Sequence, residues 1–220
     1  LSEDRRRRMS VFSGPLHGGP KRNSPPGIIG GEHVPYAWQE AARVGEAVTS
    51  RPLAAGNNIK VFHNGEAAYP AMLEAIAGAK HYLFLSTYIF DARGIGAKFV
   101  EALATAVARG VDVRLLVDGV GGLYVRPCIR RLLMQKGVRV EWFLRPALWK
   151  PSFSLNLRNH AKVLVADGEI AFTGGMNIRP QHIVSENNDP RRIQDIQFAF
   201  TGPVTAQLQE SFLEDWGFAT

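Results

Sequence analysis

The spacing of apolar positions changes repeatedly along this chain. From Ile59 onward, short apolar runs alternate with stretches whose apolar residues recur every three or four positions. Those are the signatures of buried strands and one-sided helices. Ile59–His63 reads as a short strand closed by the turn pair Asn64-Gly65. Tyr69–Ala79 reads as a helix with Pro70 in its first turn and Met72, Leu73 and Ile76 on one face. His81–Ile89 is almost continuously apolar, as expected for the buried centre of a sheet. Gly96–Ala108 predicts a helix stopped by Gly110, and Val111–Val117 a strand running into a flexible loop over 118–122. Arg126–Lys136 predicts a helix stopped by Gly137, and Val138–Phe143 a strand. Arg145–Asn159, with two prolines, predicts a long irregular loop. Ala161–Ala166 and Glu169–Thr173 are two strands joined at Asp167-Gly168, a hairpin pair. Gln194–Phe200 is a last strand, and Pro203–Trp216 a helix that opens on proline. This alternation predicts an α/β sandwich: a mostly parallel central sheet, carrying one hairpin, flanked by helices.

The chain ahead of this region is different. Residues 1–35 are rich in Pro, Gly, Ser and Arg, lack periodicity, and predict a tail or linker. Tyr36–Ser50 has Trp38, Ala41, Ala42 and Val48 at roughly helical spacing and is ended by Arg51-Pro52. Residues 36–220 are therefore expected to form the folded domain. The net charge is +6, from 26 basic and 20 acidic residues, and residues 1–22 hold +4 of it. A basic tail suits anionic lipid or nucleic acid, and its plainer reading is a solvated end. One cysteine, Cys128, excludes a disulfide framework and a Cys-cluster metal site. The longest apolar run, Tyr82 to Phe90, is far short of the about 20 residues a spanning helix needs. The chain opens on Leu1, and we expect it to be part of a longer one.

The chemistry concentrates in Asn159-His160-Ala161-Lys162, continuing through Asp167 to Thr173-Gly174-Gly175-Met176-Asn177. His160 and Lys162 are two apart on a strand, so their side chains leave on the same face. An imidazole beside a fixed positive charge suits attack on a phosphodiester: the ring attacks phosphorus while the ammonium neutralises the equatorial oxygens. Gly174 and Gly175 would let backbone N–H groups approach an anion, and Asn177 would add an amide donor. Asp167 sits in a turn that favours Asp for its own backbone bonding. His17, His33, His63, His81 and His182 lack ligand spacing and read as surface or packing residues.

The pattern His-x-Lys, four residues, Asp, six residues, Gly-Gly-x-Asn resembles the phospholipase D superfamily motif at every position. With average residue usage, a chance match is rarer than roughly one in 10⁵. The stretches Gly56–Gly65, Tyr69–Leu73, Ser86–Phe90, Arg109–Gly121 and Gly202-Pro203 with Phe212–Trp216 are similar to the first half of bacterial cardiolipin synthases. Ser86 stands where an acid is common in that family, and Ala161 and Gln194 where arginines are. The resemblance implies His160, Lys162, Asp167 and Asp195 as catalytic residues, Gly174, Gly175 and Asn177 around the phosphate, and no metal or cofactor. It implies that Asp195 orients the imidazole, although by itself Asp195 reads equally as a strand-edge acid. Tyr88, Tyr124 and Trp149 are candidates to line a lipid or glycerol pocket.

The implied activity is phosphatidyl transfer between phosphatidylglycerol molecules through a phosphohistidine, at an anionic membrane surface on the cytoplasmic face of the bacterial inner membrane. A phospholipase D-type hydrolase, or a homodimeric nuclease acting on nucleic acid, are the alternatives. The departing alkoxide needs a proton from a second group. The resemblance assigns that role to a second phospholipase D-like half or to an identical subunit, and the present chain is expected to be a first half.

Overall fold

The computed structural model describes residues 28–29, 32–33, 36–121, 128–144, 158–185 and 190–220. The chain divides into two compact units, Leu1–Gly56 and Asn57–Thr220. In the first, β1 (Ile28–Ile29) pairs antiparallel with β2 (Glu32–His33), and α1 spans Tyr36–Thr49. Trp38, Val44 and Val48 on α1 are exposed.

The second unit alternates strands and helices as the periodicity predicts. β3 (Asn58–His63) runs directly into α2 (Asn64–Gly78). β4 (Tyr82–Thr87), α3 (Ile95–Ala108), β5 (Asp112–Asp118), α4 (Ile129–Gln135) and β6 (Arg139–Phe143) follow. The hairpin is β7 (Val163–Ala166) and β8 (Ile170–Gly174), then a single 3₁₀ turn at Pro180–His182, β9 (Ile196–Thr201) and α5 (Val204–Ala219). Most of the expected irregular loop over 145–159, with Trp149, lies outside the described residues, as does Tyr124.

Asn64-Gly65 departs from the sequence reading. It is the first turn of α2 rather than a loop. Asn64 takes a left-handed φ of 59°, and this is secured from across the sheet. Its N–H donates to the Asp195 carbonyl, and its Oδ1 accepts the Asp195 N–H. Gly65 is required by space: a Cβ there would collide with the Tyr69 ring and the His182 carbonyl.

The seven strands lie in the order β3-β9-β8-β7-β4-β5-β6. Only β4–β5 and β5–β6 are parallel, and the other four pairings are antiparallel. The mostly parallel sheet expected from sequence is therefore corrected to a mixed one. Helical crossovers make the β4–β6 half parallel, whereas the hairpin docks antiparallel on β4 and continues the sheet through β9 and β3.

The central strands β4, β5, β7 and β8 alternate their side chains between two cores. Leu83, Leu85, Leu115, Leu164 and Phe172 pack with Tyr69, Ile76, Phe99 and Leu103 of α2 and α3. Phe84, Leu116, Val163 and Val165 face the other way, onto Phe212 of α5. Phe84 and Phe212 stack at 5.0 Å, and Arg114 lies 5.3 Å over the Phe84 ring.

Asp167 belongs to this framework. It sits in the hairpin turn with φ 53°, and its carboxylate accepts the N–H groups of Lys80 (2.7 Å), His81 (2.9 Å) and Tyr82 (2.8 Å). Burial opposes its charge, but those bonds hold its carboxyl below the ordinary value. β7 separates it from His160, so Asp167 ties β4 to the hairpin and takes no place beside the imidazole.

Candidate active site

Parallel β4 and β5 end where antiparallel β7 and β9 begin. Thr87, Asp118, Lys162, Gly174 and Asp195 therefore converge at one end of the sheet. His160 lies three residues before the start of β7 and is exposed. Its ring lies 5.1 Å from the Tyr88 ring. The desolvation it undergoes, followed by the Lys162 charge, lowers its pKa, against an opposing pull from Asp118. The imidazole is thus biased to the neutral form that a nucleophile needs.

Lys162 is buried, at 4% exposure. Its Nζ donates to the His160 carbonyl at 2.7 Å and stands 5.8 Å from the Tyr88 ring centroid. Burial pushes its pKa down to about 8, with Asp195 opposing. Beside it is a cavity of about 10 Å³ lined by Met72, Ser86, Thr87, Met176 and Gln197 among others. Ser86 brings no carboxylate to this cavity; its hydroxyl donates to the Ala161 carbonyl at 3.4 Å.

Asn177 is held on three sides. Its N–H donates to His182 Nε2 at 3.3 Å, and its carbonyl accepts the Tyr69 hydroxyl at 2.7 Å. Its Oδ1 accepts the Ile89 N–H at 2.9 Å, which turns the amide so that Oδ1 points inward. The Nδ2 group is left to donate elsewhere. Tyr69 is fully buried, and desolvation raises its pKa, so it acts as a neutral clamp.

The two glycines work differently from the sequence expectation. The Gly175 N–H donates to the Ile196 carbonyl rather than pointing at an anion. What the pair contributes is space: a Cβ on Gly175 would collide with the Asp195 carboxylate, and one on Gly174 with the Gln197 side chain and the Ile196 carbonyl. Asp195 is thereby packed against the chain two residues before Asn177. Its Oδ1 accepts the Ile196 N–H at 2.8 Å. It faces Lys162 and His182.

Asp118 is the acid whose charge reaches His160. It is almost completely buried. Its Oδ1 accepts from Val120 (2.8 Å) and Gly121 (3.1 Å), and its Oδ2 accepts the Asn159 N–H at 3.1 Å. It fixes the backbone immediately before the imidazole. Among the described residues no group of three His, Cys, Asp or Glu side chains is placed to hold a metal ion.

The family model described as cardiolipin synthase, phospholipase D-like domain, matches residues 72–216, which contain this whole constellation apart from Tyr69. The chain belongs to this family. Cardiolipin synthase A of Pseudomonas aeruginosa (strain LESB58) is 34% identical over 173 residues, covering 79% of this chain and 35% of that protein. The chain thus spans about a third of the length of such relatives. The fold is that of a phospholipase D family member, Nuc from Salmonella typhimurium (TM-score 0.56, 20% identity, 73% of this chain and 95% of that one). NucT from Helicobacter pylori also shares it (TM-score 0.58, 14% identity, 73% of this chain and 96% of that one).

Within this phospholipase D-like frame, the structure gathers His160, Lys162, Asn177 and Asp195 at one end of the sheet and leaves Asp167 at the other. Tyr88 is the one pocket aromatic of the sequence reading that falls among the described residues, and it does lie beside His160. Tyr69 is not legible as a site residue, because a helix tyrosine carries no local pattern, and Asp118 enters the sequence reading only as a fallback for the orienting acid. The available signal for Asp118 was an acid ending a buried apolar run at a Gly-rich loop.

Proposed function

We propose that the protein is a phosphatidyltransferase of the cardiolipin synthase type, using two phosphatidylglycerol molecules. The observation that supports it most is an exposed imidazole, biased to neutrality, in the field of a buried ammonium at the same end of the sheet as a fixed amide. In the proposed reaction His160 attacks the phosphorus of one phosphatidylglycerol. A P–N bond forms, the bond to the departing glycerol oxygen breaks, and a second protonated group gives that oxygen its proton. A glycerol hydroxyl of the second molecule then attacks phosphorus. Its proton leaves to the same second group, and the imidazole is released. Lys162 and the Asn177 amide offset the charge on the phosphoryl oxygens throughout.

The second proton-transfer group is assigned to another phospholipase D-like half or an identical subunit. No helix among the described residues is long and apolar enough to cross a membrane. We place the domain peripherally, on an anionic membrane at the cytoplasmic face of the inner membrane. Labelled phosphatidylglycerol vesicles with the full-length protein test the reading. Wild type should release glycerol and form a product carrying two phosphates, and His160→Ala should be folded and inactive. Release of phosphatidic acid alone would make the enzyme a hydrolase. DNA nicking without phospholipid turnover would overturn the lipid assignment.

A further inference from the structure

His182 is a buried imidazole that the proposed chemistry leaves without a task. It lies in the 3₁₀ turn after Asn177, at 2% exposure. Its Nε2 accepts the Asn177 N–H at 3.3 Å, so that nitrogen carries no proton. Burial lowers its pKa, with Asp195 opposing and Arg179 reinforcing. The ring is therefore neutral, and its one proton is on Nδ1. Nδ1 is buried and makes no hydrogen bond of good geometry; the Ile193 carbonyl lies close enough to favour its proton without closing on it. An orphan donor inside a protein is rare and costly, and each one calls for a reason.

The reason is visible 4.0 Å away, at Asp195 Oδ2. That separation is too long for a hydrogen bond, and about 1 Å of carboxylate movement closes it. Asp195 keeps 24% side-chain exposure, which leaves its carboxylate free to make that movement. Contacts of this kind often tighten when substrate binds. One ring thus reaches two residues of the site from opposite nitrogens.

We propose that His182 is a positioning residue for phosphoryl transfer: Nε2 fixes the Asn177 backbone, and Nδ1–H takes up the Asp195 carboxylate as the site closes on a phosphodiester. The proposal rests on the function proposed above. Through His182, the amide donor and the acid share one rigid reference. His182 itself touches neither the phosphorus nor His160.

The test uses the full-length protein and phosphatidylglycerol vesicles. His182→Phe keeps the shape and removes both nitrogens. It should lower kcat by about 10- to 100-fold and leave KM within about threefold, with an unchanged melting temperature. His182→Gln, which retains an acceptor and a donor, should stay within about fivefold of wild type. The double variant with Asp195→Asn should be no slower than the slower single, because the two act as one unit. Wild-type turnover in His182→Phe, an equally slow His182→Gln, or fully multiplicative losses would each overturn the proposal. Imidazole ¹⁵N spectra of the wild type cover the case in which His182→Phe does not fold. They should show a neutral ring protonated at Nδ1 at pH 7 and above, and inorganic phosphate should move that proton downfield. A ring protonated at Nε2, or a proton indifferent to phosphate, would overturn the inference. Wild type that turns over no phosphatidylglycerol would count against the proposed function instead, while the spectra still decide the role of His182.

Discussion

Replacing Lys162 by Met separates what the residue does for chemistry from what it costs the fold. The side chain keeps its length and loses its charge. In the folded protein the ammonium titrates at about 8, against an ordinary value of 10.5. At about 1.36 kcal/mol per pKa unit, holding it charged in place costs roughly 3 kcal/mol. One loss offsets the relief: the bond to the His160 carbonyl goes, worth about 1 kcal/mol. The attraction of Asp195 is already contained in the folded value. The apolar wall of the adjoining cavity, with Met72 and Met176, receives the thioether. The variant should therefore be more stable than wild type at pH 7, by about 1–2 kcal/mol, while turnover falls at least about 10²-fold.

Urea unfolding followed by circular dichroism measures the difference. The sign of its pH dependence is fixed. Between pH 8 and 10.5 the unfolded chain holds the Lys162 proton more tightly than the folded one, so wild type gains stability relative to the variant as pH rises. The advantage of Lys162→Met should shrink across that window and reverse before its upper end, because the relief goes while the lost hydrogen bond remains. A variant less stable than wild type at pH 7, or a gap that does not change with pH, would refute the reasoning.

Three other outcomes follow from the same geometry. The pH profile of kcat/KM should rise through an acid limb below 6.5, where His160 becomes neutral, and fall through a limb near 8, where Lys162 loses its proton. Lys162→Arg should carry the second limb out of range, and a limb that stays near 8 would assign it to another group. Asp167→Ala should cost about 2–4 kcal/mol, since it strands three backbone donors, with little change in kcat per folded molecule. Because the folded Asp167 carboxyl is held below its unfolded value of about 3.9, that difference should be full above pH 4 and fade as pH falls through the folded value. Asp195→Asn should lower kcat more than it raises KM in steady-state assays, and wild-type kinetics would move the orienting role to Asp118.

The local content of the sequence carried far. Period-two and period-3.6 runs located nearly every strand and helix of the second unit, because burial of one face imposes that period within each element. The spacing of His160, Lys162 and Asn177 pointed to phosphodiester chemistry, but the expected shared strand face did not form: His160 and Lys162 lie just ahead of β7, one exposed and one buried. What the tertiary structure alone decided concerns neighbours. A strand's pattern says that it is buried, not which strand lies beside it, so the antiparallel insertion of β7, β8 and β9 was not legible. Asp167 and Asp195 look alike as acids near strand ends. Only the approach of β4's backbone makes one a framework residue, and only the close packing on Gly175 turns the other towards Lys162. The Lys162 pKa depends on what surrounds its ammonium, and no sequence window contains that. His182, read as a packing residue from its spacing, became something else when Asn177 N–H and Asp195 Oδ2 came within reach of its two nitrogens. Patterns along a chain report the face each residue takes, whereas protonation and hydrogen-bond partners are set by atoms that the fold brings from elsewhere.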